Sequence, residues 1–370
     1  MKKVKKPEWV PKNAGDEFTT RVVQGKESQH NGMPGRKSYN RKKLPRRRQL
    51  SVEDYVCGVL SKDRTILAQT ITLIESNSQK HFDKAQEVLK QLLPYTGNSL
   101  RIGITGVPGA GKSTFIEALG CLLMKQDNSL AVLAIDPSSS LSKGSVLGDK
   151  TRMEKLAMHP NSFIRPSPAG GKLGGVTRKT RETTLICEAA GYDVIFIETV
   201  GVGQNEITVR SMVDFFLLLK IAGAGDELQG IKKGVVELAD AILINKADGD
   251  NKTRAEIARR DFANALNYLR SPTKGWKPEV LTCSAISETG ISEVWDIIKK
   301  YEKIVRRSGV FTERRNQQNL GWMHDLVNEH LLNVFYNDPR ILEILPNLEK
   351  EVRSGKIPPT KAAWKLLKEI

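Results

Sequence analysis

The chain has 370 residues, with 58 Lys or Arg against 42 Asp or Glu and therefore a formal net charge of +16. This length allows two or three domains with substantial cores. No apolar run reaches membrane-spanning length and no signal-peptide pattern opens the chain, so we expect no membrane partner. The four cysteines form no C-x-x-C pair, which favours reduced thiols and a cytoplasmic protein.

The positive charge is concentrated at the start of the chain. Residues 1–50 hold 15 Lys or Arg and 4 Asp or Glu, which leaves a net charge of only +5 on the other 320 residues. High polarity without apolar periodicity predicts a disordered basic tail. Because the excess lies in a tail and not in a groove, we do not expect a nucleic acid partner; a weak contact with RNA or an acidic protein is the alternative.

Residues 51–98 are predicted to be a helical segment. Ser51 followed by Glu53 and Asp54 is typical of a helix start, and apolar residues then recur at helical spacing. The same periodicity predicts helices over Thr65–Glu75 and Phe82–Leu93. The segment ends in a turn-rich stretch that leads into the first apolar strand.

Residues 99–305 alternate short apolar runs with helical patterns. The predicted strands are Leu100–Thr105, Leu130–Ile135, Val194–Glu198, Phe215–Leu219, Ala241–Asn245 and Val280–Cys283. The predicted helices are Ser113–Lys125, Thr177–Ala190, Thr253–Leu269 and Ile291–Val305. Apolar strands separated by helices predict an α/β domain with a mostly parallel sheet covered on both faces. In such sheets ligands bind at the carboxyl ends of the strands.

Residues 306–370 carry no strand pattern. Helices are predicted over Asn319–Tyr336, Pro339–Ser354 and Pro359–Ile370. One face of the first is strongly apolar and would cover the preceding domain or meet a second copy of the chain. The sequence leaves these two possibilities open for this C-terminal helical extension.

The stretch 101–118, RIGITGVPGAGKSTFIEA, contains the pattern G-x-x-x-x-G-K-S between a predicted strand and a predicted helix. Glycines let backbone N–H groups surround phosphate oxygens at the positive end of the helix. Lys112 is expected to reach the β- and γ-phosphates, and Ser113 to bind Mg²⁺. The predicted phosphate-binding residues are Gly106, Gly109, Ala110, Gly111, Lys112, Ser113 and Thr114. This is the signature of a P-loop NTPase.

A second motif, Asn245-Lys246-Ala247-Asp248, follows an apolar strand and predicts a guanine site. The Asp248 carboxylate can accept hydrogen bonds from guanine N1–H and the 2-amino group, donors that adenine does not present there. Two hydrogen bonds to a charged group, about 1.5–3 kcal/mol each, predict at least hundredfold discrimination. Asn245 would brace the loops, Lys246 would cover the base, and Ser284-Ala285 would offer a backbone contact to guanine O6. The protein is therefore predicted to be a GTPase that binds GTP and GDP.

Glu198-Thr199-Val200-Gly201 follows the apolar run that begins at Val194 and ends that predicted strand. Glu198 is expected on the Mg²⁺ side, acting through water, and the Gly201 N–H would contact the γ-phosphate. Asp136 is a second Mg²⁺-side candidate, with a turn cap as its alternative role. Lys112, Glu198 and Gly201 are thus the predicted catalytic groups. Val202 stands where Ras-like proteins have Gln, so slow basal hydrolysis is expected. Gln204 is a substitute candidate, and the group that positions water is not identified.

Four further segments carry a family resemblance: residues 144–153, 174–177, 198–204 and 223–234. Together they resemble the methylmalonyl-CoA mutase-associated GTPases, a family also called lysine/arginine/ornithine transport ATPases. The similarity spans about residues 51–350.

The resemblance implies a homodimeric, partner-stimulated GTPase with helical N- and C-terminal extensions. It implies a chaperone that gates adenosylcobalamin loading and protects methylmalonyl-CoA mutase or a relative, the cobalamin belonging to the partner enzyme. It also implies that Asp136 and Glu198 are the Mg²⁺-side carboxylates, that residues 144–153 form a mobile switch, and that residues 223–234 form a switch that communicates with the mutase.

Three other classes remain as alternatives. A transport-associated or kinase-like P-loop NTPase is disfavoured by the guanine motif. A metal-insertion GTPase would carry a His-rich stretch or a C-x-x-C pair, and the sequence has neither. An RNA- or membrane-targeting GTPase would act through the basic tail. The identity of the mutase is left open.

Overall fold

A computed structural model of the protein describes residues 50–76, 78–136, 153–168, 173–199, 205–223 and 234–369. The strands in these residues are β1 (Leu100–Gly106), β2 (Leu130–Asp136), β3 (Ser162–Pro168), β4 (Val194–Thr199), β5 (Phe215–Ile221), β6 (Ala241–Asn245) and β7 (Glu279–Thr282). They form one sheet in the order β3-β2-β4-β1-β5-β6-β7. Every neighbouring pair is parallel. The predicted α/β P-loop fold is confirmed.

Helices surround this sheet and extend beyond it. They are α1 (Val52–Leu60), α2 (Arg64–Glu75), α3 (Gln79–Leu92), α4 (Lys112–Lys125), α5 (Glu154–Met158), α6 (Leu173–Ala189), α7 (Asn205–Arg210), α8 (Lys252–Leu266), α9 (Ile291–Arg307), α10 (Val310–Asn337), α11 (Pro339–Arg353) and α12 (Pro359–Leu367). None of the helices in the described ranges is both long and apolar enough to cross a bilayer.

Each face of the sheet is buried under helices, as the uniformly apolar strands require. On one face, Ile195 and Ile197 of β4 belong to a buried cluster with residues of α2, α3, α6 and α8. On the other face, Ile102 and Ile104 of β1 belong to a second cluster with residues of α4 and α9. The central strand β1 pairs with β4 and β5, so its carboxyl end lies in the middle of the row formed by the carboxyl ends of the strands.

The three N-terminal helices are confirmed and belong to the core. α1 starts with a reciprocal cap, in which Asp54 N donates to Ser51 Oγ at 3.1 Å and Ser51 N donates to Asp54 Oδ2 at 2.8 Å. Such a cap satisfies two backbone donors at the helix start. Val59, Leu67 and Val88, from the three helices in turn, are fully buried in the β4-side cluster. The segment therefore packs on the sheet.

The sequence patterns missed one strand. β3 has the sequence SFIRPSP and pairs only with β2, at the edge of the sheet. Two prolines and an arginine hide its strand character, and prolines are tolerated in edge strands because one side of the ladder needs no donors.

The first C-terminal helix also begins earlier than predicted. We expected it over Asn319–Tyr336, but α10 starts at Val310, directly after Gly309 with φ 77°. The added turns pack through Arg315, which is 8% exposed. A helix face buried through a charged side chain has no apolar periodicity, so its sequence does not reveal it.

Candidate functional site

The loop between β1 and α4 has a backbone that requires glycine at two positions. Gly106 has φ 154°, and a Cβ there would lie 2.3 Å from the carbonyl oxygen of Leu219. Gly111 has φ 83°, and a Cβ there would lie 2.7 Å from Asn245 Nδ2. Side chains at either position would collide with neighbouring strands, so the loop is held close against β5 and β6.

Lys112 lies at the first position of α4 and is folded back over this loop. Its Nζ donates to the carbonyl oxygens of Gly106 at 2.8 Å and Val107 at 3.2 Å. Burial lowers the pKa of Lys112, while the negative charges of Glu198 and Glu206 act in the opposite direction. The buried ammonium is therefore bound by carbonyl oxygens that phosphate oxygens can replace.

Ser113 and Glu198 meet beside the loop. Ser113 Oγ donates to Glu198 Oε1 at 3.2 Å, because β4 pairs with β1 and brings Glu198 opposite Ile104. A hydroxyl and a carboxylate are hard oxygen ligands and fit Mg²⁺, which takes few protein ligands and completes its shell with water and phosphate. The backbone of Asp136 ends β2, two residues beyond Ala134, the partner of Glu198. The Asp136 side chain lies outside what the structure describes.

Asn245 connects the phosphate loop to the loop after β7. Its Nδ2 donates to Ala110 O at 2.8 Å, and its Oδ1 accepts from Ala285 N at 3.2 Å. The Cys283 thiol lies 3.3 Å from the same oxygen. Burial raises the pKa of Cys283 to about 12, so the thiol keeps its proton and donates. Asn245 thus holds both loops together, in the manner expected of the guanine motif.

The rest of the guanine motif borders the same loop. Lys246 is exposed in a left-handed conformation, φ 59°, with its stem beside Gly111. Asp248 is exposed and precedes a short 3₁₀ turn, Gly249–Asn251. Ser284 is buried and pairs through its N–H with Thr289 O at 3.0 Å. Because the Ala285 N–H already donates to Asn245, a contact with guanine O6 would share or exchange that hydrogen bond.

The structure places most of the predicted site residues at the edge of the sheet where the strands have their carboxyl ends. Gly109 and Thr114 are exposed on the loop and the first turn of α4, and Ala110 is buried beneath. Gly201 lies outside the described residues. So do Gln204 and the family segments 144–152, 200–204 and 224–233.

One buried carboxylate of this region, Glu206, has no counterpart in the sequence predictions. It lies in the first turn of α7 and is 7% exposed, and its negative charge opposes the lowering of the Lys112 pKa by burial. Its only sequence signal is an acidic residue soon after the Glu198 motif. An acid in a first helical turn is usually explained by the helix dipole, which is why this signal carries little weight.

Comparison with known proteins agrees with this geometry. A family model described as methylmalonyl Co-A mutase-associated GTPase MeaB matches residues 67–340. The chain is 48% identical over 317 residues to "Probable GTPase Rv1496" of Mycobacterium tuberculosis, covering 86% of this chain and 94% of the relative. It is 43% identical over 335 residues to "Methylmalonic aciduria type A homolog, mitochondrial" of Mus musculus, covering 88% and 81%.

A solved structure supports the same assignment. The crystal structure of an LAO/AO transport system kinase matches with a TM-score of 0.71 and 39% sequence identity, covering 86% of this chain and 96% of that one. Both names expected from the sequence motifs therefore recur among the similar proteins. The chain belongs to the family of methylmalonyl-CoA mutase-associated GTPases, and it is a GTP-hydrolysing enzyme.

Proposed function

We propose that this protein is a GTP-dependent chaperone of an adenosylcobalamin-dependent methylmalonyl-CoA mutase or a close relative. In this role it gates cofactor loading and protects the mutase, and adenosylcobalamin remains with the partner. GTP hydrolysis is slow in the isolated protein and faster in the complex. The family model is described as mutase-associated, which supports this choice of partner.

The observation that carries the nucleotide part of the proposal is the double contact of Asn245. By bonding Ala110 O at 2.8 Å and Ala285 N at 3.2 Å, Asn245 connects the phosphate loop to the base-side loop. In our proposal the base lies against Lys246 and Asp248, and the phosphates lie over Gly106, Gly109, Gly111 and Lys112. Nucleotide binding and loop order are then coupled through one side chain.

Mg²⁺ is the proposed metal, with Ser113 and Glu198 as its residues and Asp136 as a further carboxylate on the same side. When bound, it would neutralise charge on the β- and γ-phosphates. Lys112 would bind the same two phosphates, and the Gly201 N–H would contact the γ-phosphate. Glu198 already accepts a hydrogen bond from Ser113, so its carboxylate is oriented before any ligand arrives.

A homodimer formed through the C-terminal helices is part of the proposal. The outer half of α10 exposes a group of large apolar side chains: Leu320 58%, Met323 50%, Val327 49%, Leu331 60%, Leu332 58% and Val334 56%. Exposed apolar groups of this kind mark association surfaces. We further propose a cytoplasmic location and a division into a basic tail (1–50), an N-terminal helical segment (51–98), a GTPase domain (99–305) and a C-terminal extension (306–370).

Stimulated hydrolysis tests the chaperone role. The purified protein is incubated with GTP alone and with the mutase from the same source, and phosphate release is measured. We expect a slow rate alone and a severalfold faster rate with the mutase, because the partner completes the switch segments. Asp226→Ala and Lys233→Ala in the segment 223–234 should reduce the stimulated rate and leave the rate of the isolated protein nearly unchanged.

Two results would contradict the proposal. An unchanged hydrolysis rate over a wide range of mutase concentrations removes the chaperone role. Equal affinity for ATP and GTP removes the guanine assignment and favours the transport-associated or kinase-like class. A protein lacking residues 1–49 serves as the control, because the proposed role does not use the basic tail.

A further inference from the structure

The position of Glu206 follows from the packing of its helix on β1. A Cβ added to Gly103 of β1 would lie 2.9 Å from Cγ1 of Val209, so α7 packs directly against β1 at this glycine. Glu206 precedes Val209 by three residues, which is nearly one helical turn. Because β4 and β5 both run parallel to β1, the helix α7 that lies between them in the chain should run in the opposite direction, which places Glu206 closer than Val209 to the carboxyl end of β1, where the phosphate loop begins.

Glu198 and the helix that carries Glu206 lie on opposite faces of the sheet. Glu198 bonds Ser113 on the α4 side. Val209, on the helix of Glu206, belongs to the buried cluster of the other face, with Ile195 and Ile197. The carboxyl end of β1 therefore has Glu198 on one face of the sheet and the helix of Glu206 on the other.

Both carboxylates are buried. Glu198 accepts a hydrogen bond from the proposed Mg²⁺ ligand Ser113. Glu206 is 7% exposed, and its Oε2 is buried without a hydrogen-bond partner in the described part of the chain. A buried carboxylate oxygen without a donor costs free energy, so its retention points to a ligand that supplies one.

The helix that carries Glu206 is anchored at its far end. Arg210 Nη1 donates to Asp240 Oδ2 at 2.8 Å, and Arg181 Nη2 donates to Ser211 Oγ at 2.7 Å. Met212 and Val213, just beyond, are buried in the same cluster as Val209. A carboxylate on such an element has a defined position before substrate binds, which is what catalytic orientation requires.

We propose that Glu206 is a catalytic residue of GTP hydrolysis that accepts a hydrogen bond from the attacking water. The proposal rests on GTP binding over Lys112, as described above. The water oxygen forms a bond to the γ-phosphorus, the bond between that phosphorus and the β–γ bridging oxygen breaks, and GDP leaves with that oxygen. The proton lost by the water ends on the released phosphate. Glu206 thereby fills the role that a glutamine at the position of Val202 has in Ras-like proteins.

Single-turnover hydrolysis by the isolated protein tests the proposal. Glu206→Ala, Glu206→Gln and wild type are loaded with GTP, and the rate of phosphate release is compared with the GTP dissociation constant. We expect Glu206→Ala to lower the rate about a hundredfold or more, within the range for a positioned acid–base group. We expect a smaller loss for Glu206→Gln, because an amide oxygen still orients water. GTP affinity should change less than about threefold in both variants, in keeping with loss of an interaction used only in the transition state.

Glu182→Gln is the matched control. Glu182 is 5% exposed, lies on α6, and accepts a hydrogen bond from Gln86 Nε2 at 3.1 Å, so its loss also removes a buried carboxylate. We expect the hydrolysis rate of nucleotide-bound Glu182→Gln to equal that of wild type. Thermal melts of all variants check that each is folded.

Three outcomes overturn the proposal. Equal losses of rate in Glu206→Ala and Glu206→Gln together with altered GTP affinity would mean that Glu206 is a counter-ion that positions Lys112. Rates within threefold of wild type in both variants would mean that Glu206 has no part in hydrolysis. A rate lowered equally by Glu182→Gln would mean that the effect is structural. Loss of GTP binding by wild type would instead refute the proposed nucleotide site. The assay contains no mutase.

Discussion

Charged side chains are arranged differently at the amino ends of the strands (the amino edge of the sheet) and at their carboxyl ends (the carboxyl edge). At the amino edge, Arg315 Nη2 lies 2.6 Å from Asp214 Oδ2, and Arg315 Nη1 lies 3.1 Å from Glu188 Oε1. Arg101 Nη2 lies 2.8 Å from the second oxygen of Glu188. At the carboxyl edge, Lys112 is bonded to carbonyl oxygens of its own loop, and Glu206 keeps a buried oxygen without a described partner.

The difference indicates that the amino-edge charges stabilise the fold, whereas the carboxyl-edge charges bind ligands. The amino-edge charges are paired with one another, and Arg315 also donates to the carbonyl oxygens of Gly97 and Ser99, which ties α10 to the start of β1. Their interactions are complete in the protein itself. The carboxyl-edge charges keep capacity for partners, as expected of a site that binds phosphates and water. Substitutions at the first edge should alter stability, and those at the second should alter ligand binding.

Lys112→Ala should show the largest effect. It removes at least two charge-assisted hydrogen bonds to phosphate, about 1.5–3 kcal/mol each, so GTP should bind about a hundredfold more weakly or worse. Fluorescent-nucleotide titration measures this, with Lys125→Ala, at the exposed end of α4, as control. Without nucleotide, the melting temperature should fall less than in Arg315→Ala, because the Lys112 ammonium bonds carbonyl oxygens of its own loop, whereas Arg315 connects α10 to other elements. A large drop would break the distinction between the two edges.

Arg315→Ala should be strongly destabilising and leave nucleotide affinity intact. Removing Arg315 leaves the buried Asp214 carboxylate without its ion-pair partner and leaves Glu188 with Arg101 alone, at a cost of about 3–5 kcal/mol. Chemical denaturation measures the free energy of unfolding. Arg340→Ala is the control, because its pair with Asp338 at 2.9 Å lies at the surface, with the Arg340 side chain 58% exposed, and its loss should leave stability nearly unchanged. Equal stability of the two variants would contradict a structural role for the amino edge.

Asp248→Asn should have the smallest effect of the three. The amide retains one acceptor and loses the charge, so GTP should bind about ten- to a hundredfold more weakly, equivalent to one hydrogen bond of about 1.5–3 kcal/mol. Xanthosine triphosphate, whose 2-position is an acceptor, should bind better than it does to wild type. Competition titrations with GTP, xanthosine triphosphate and ATP measure the preference. Unchanged base preference would remove Asp248 from the guanine site.

The phosphate-loop region illustrates what local sequence patterns reveal. The strand and helix around Gly106 and Lys112 were predicted to within one residue, because backbone conformation there depends on nearby glycines and on a short apolar run. The bracing role of Asn245 also followed from its motif. The edge strand β3 did not, since its prolines oppose strand propensity and only its pairing with β2 explains it.

The sequence by itself determined six of the seven described strands, the phosphate loop and the guanine motif, because each depends on residues close together in the chain. Only the tertiary structure decided which distant charges meet. Arg315 reaches Asp214 across 101 residues and Glu188 across 127, and Asn245 reaches Ala285 across 40. Glu206 acquires its significance in the same way, because its neighbour Lys112 lies on another helix and its burial depends on α7 packing against β1. Side-chain chemistry is local, but burial and charge pairing depend on how the whole chain packs.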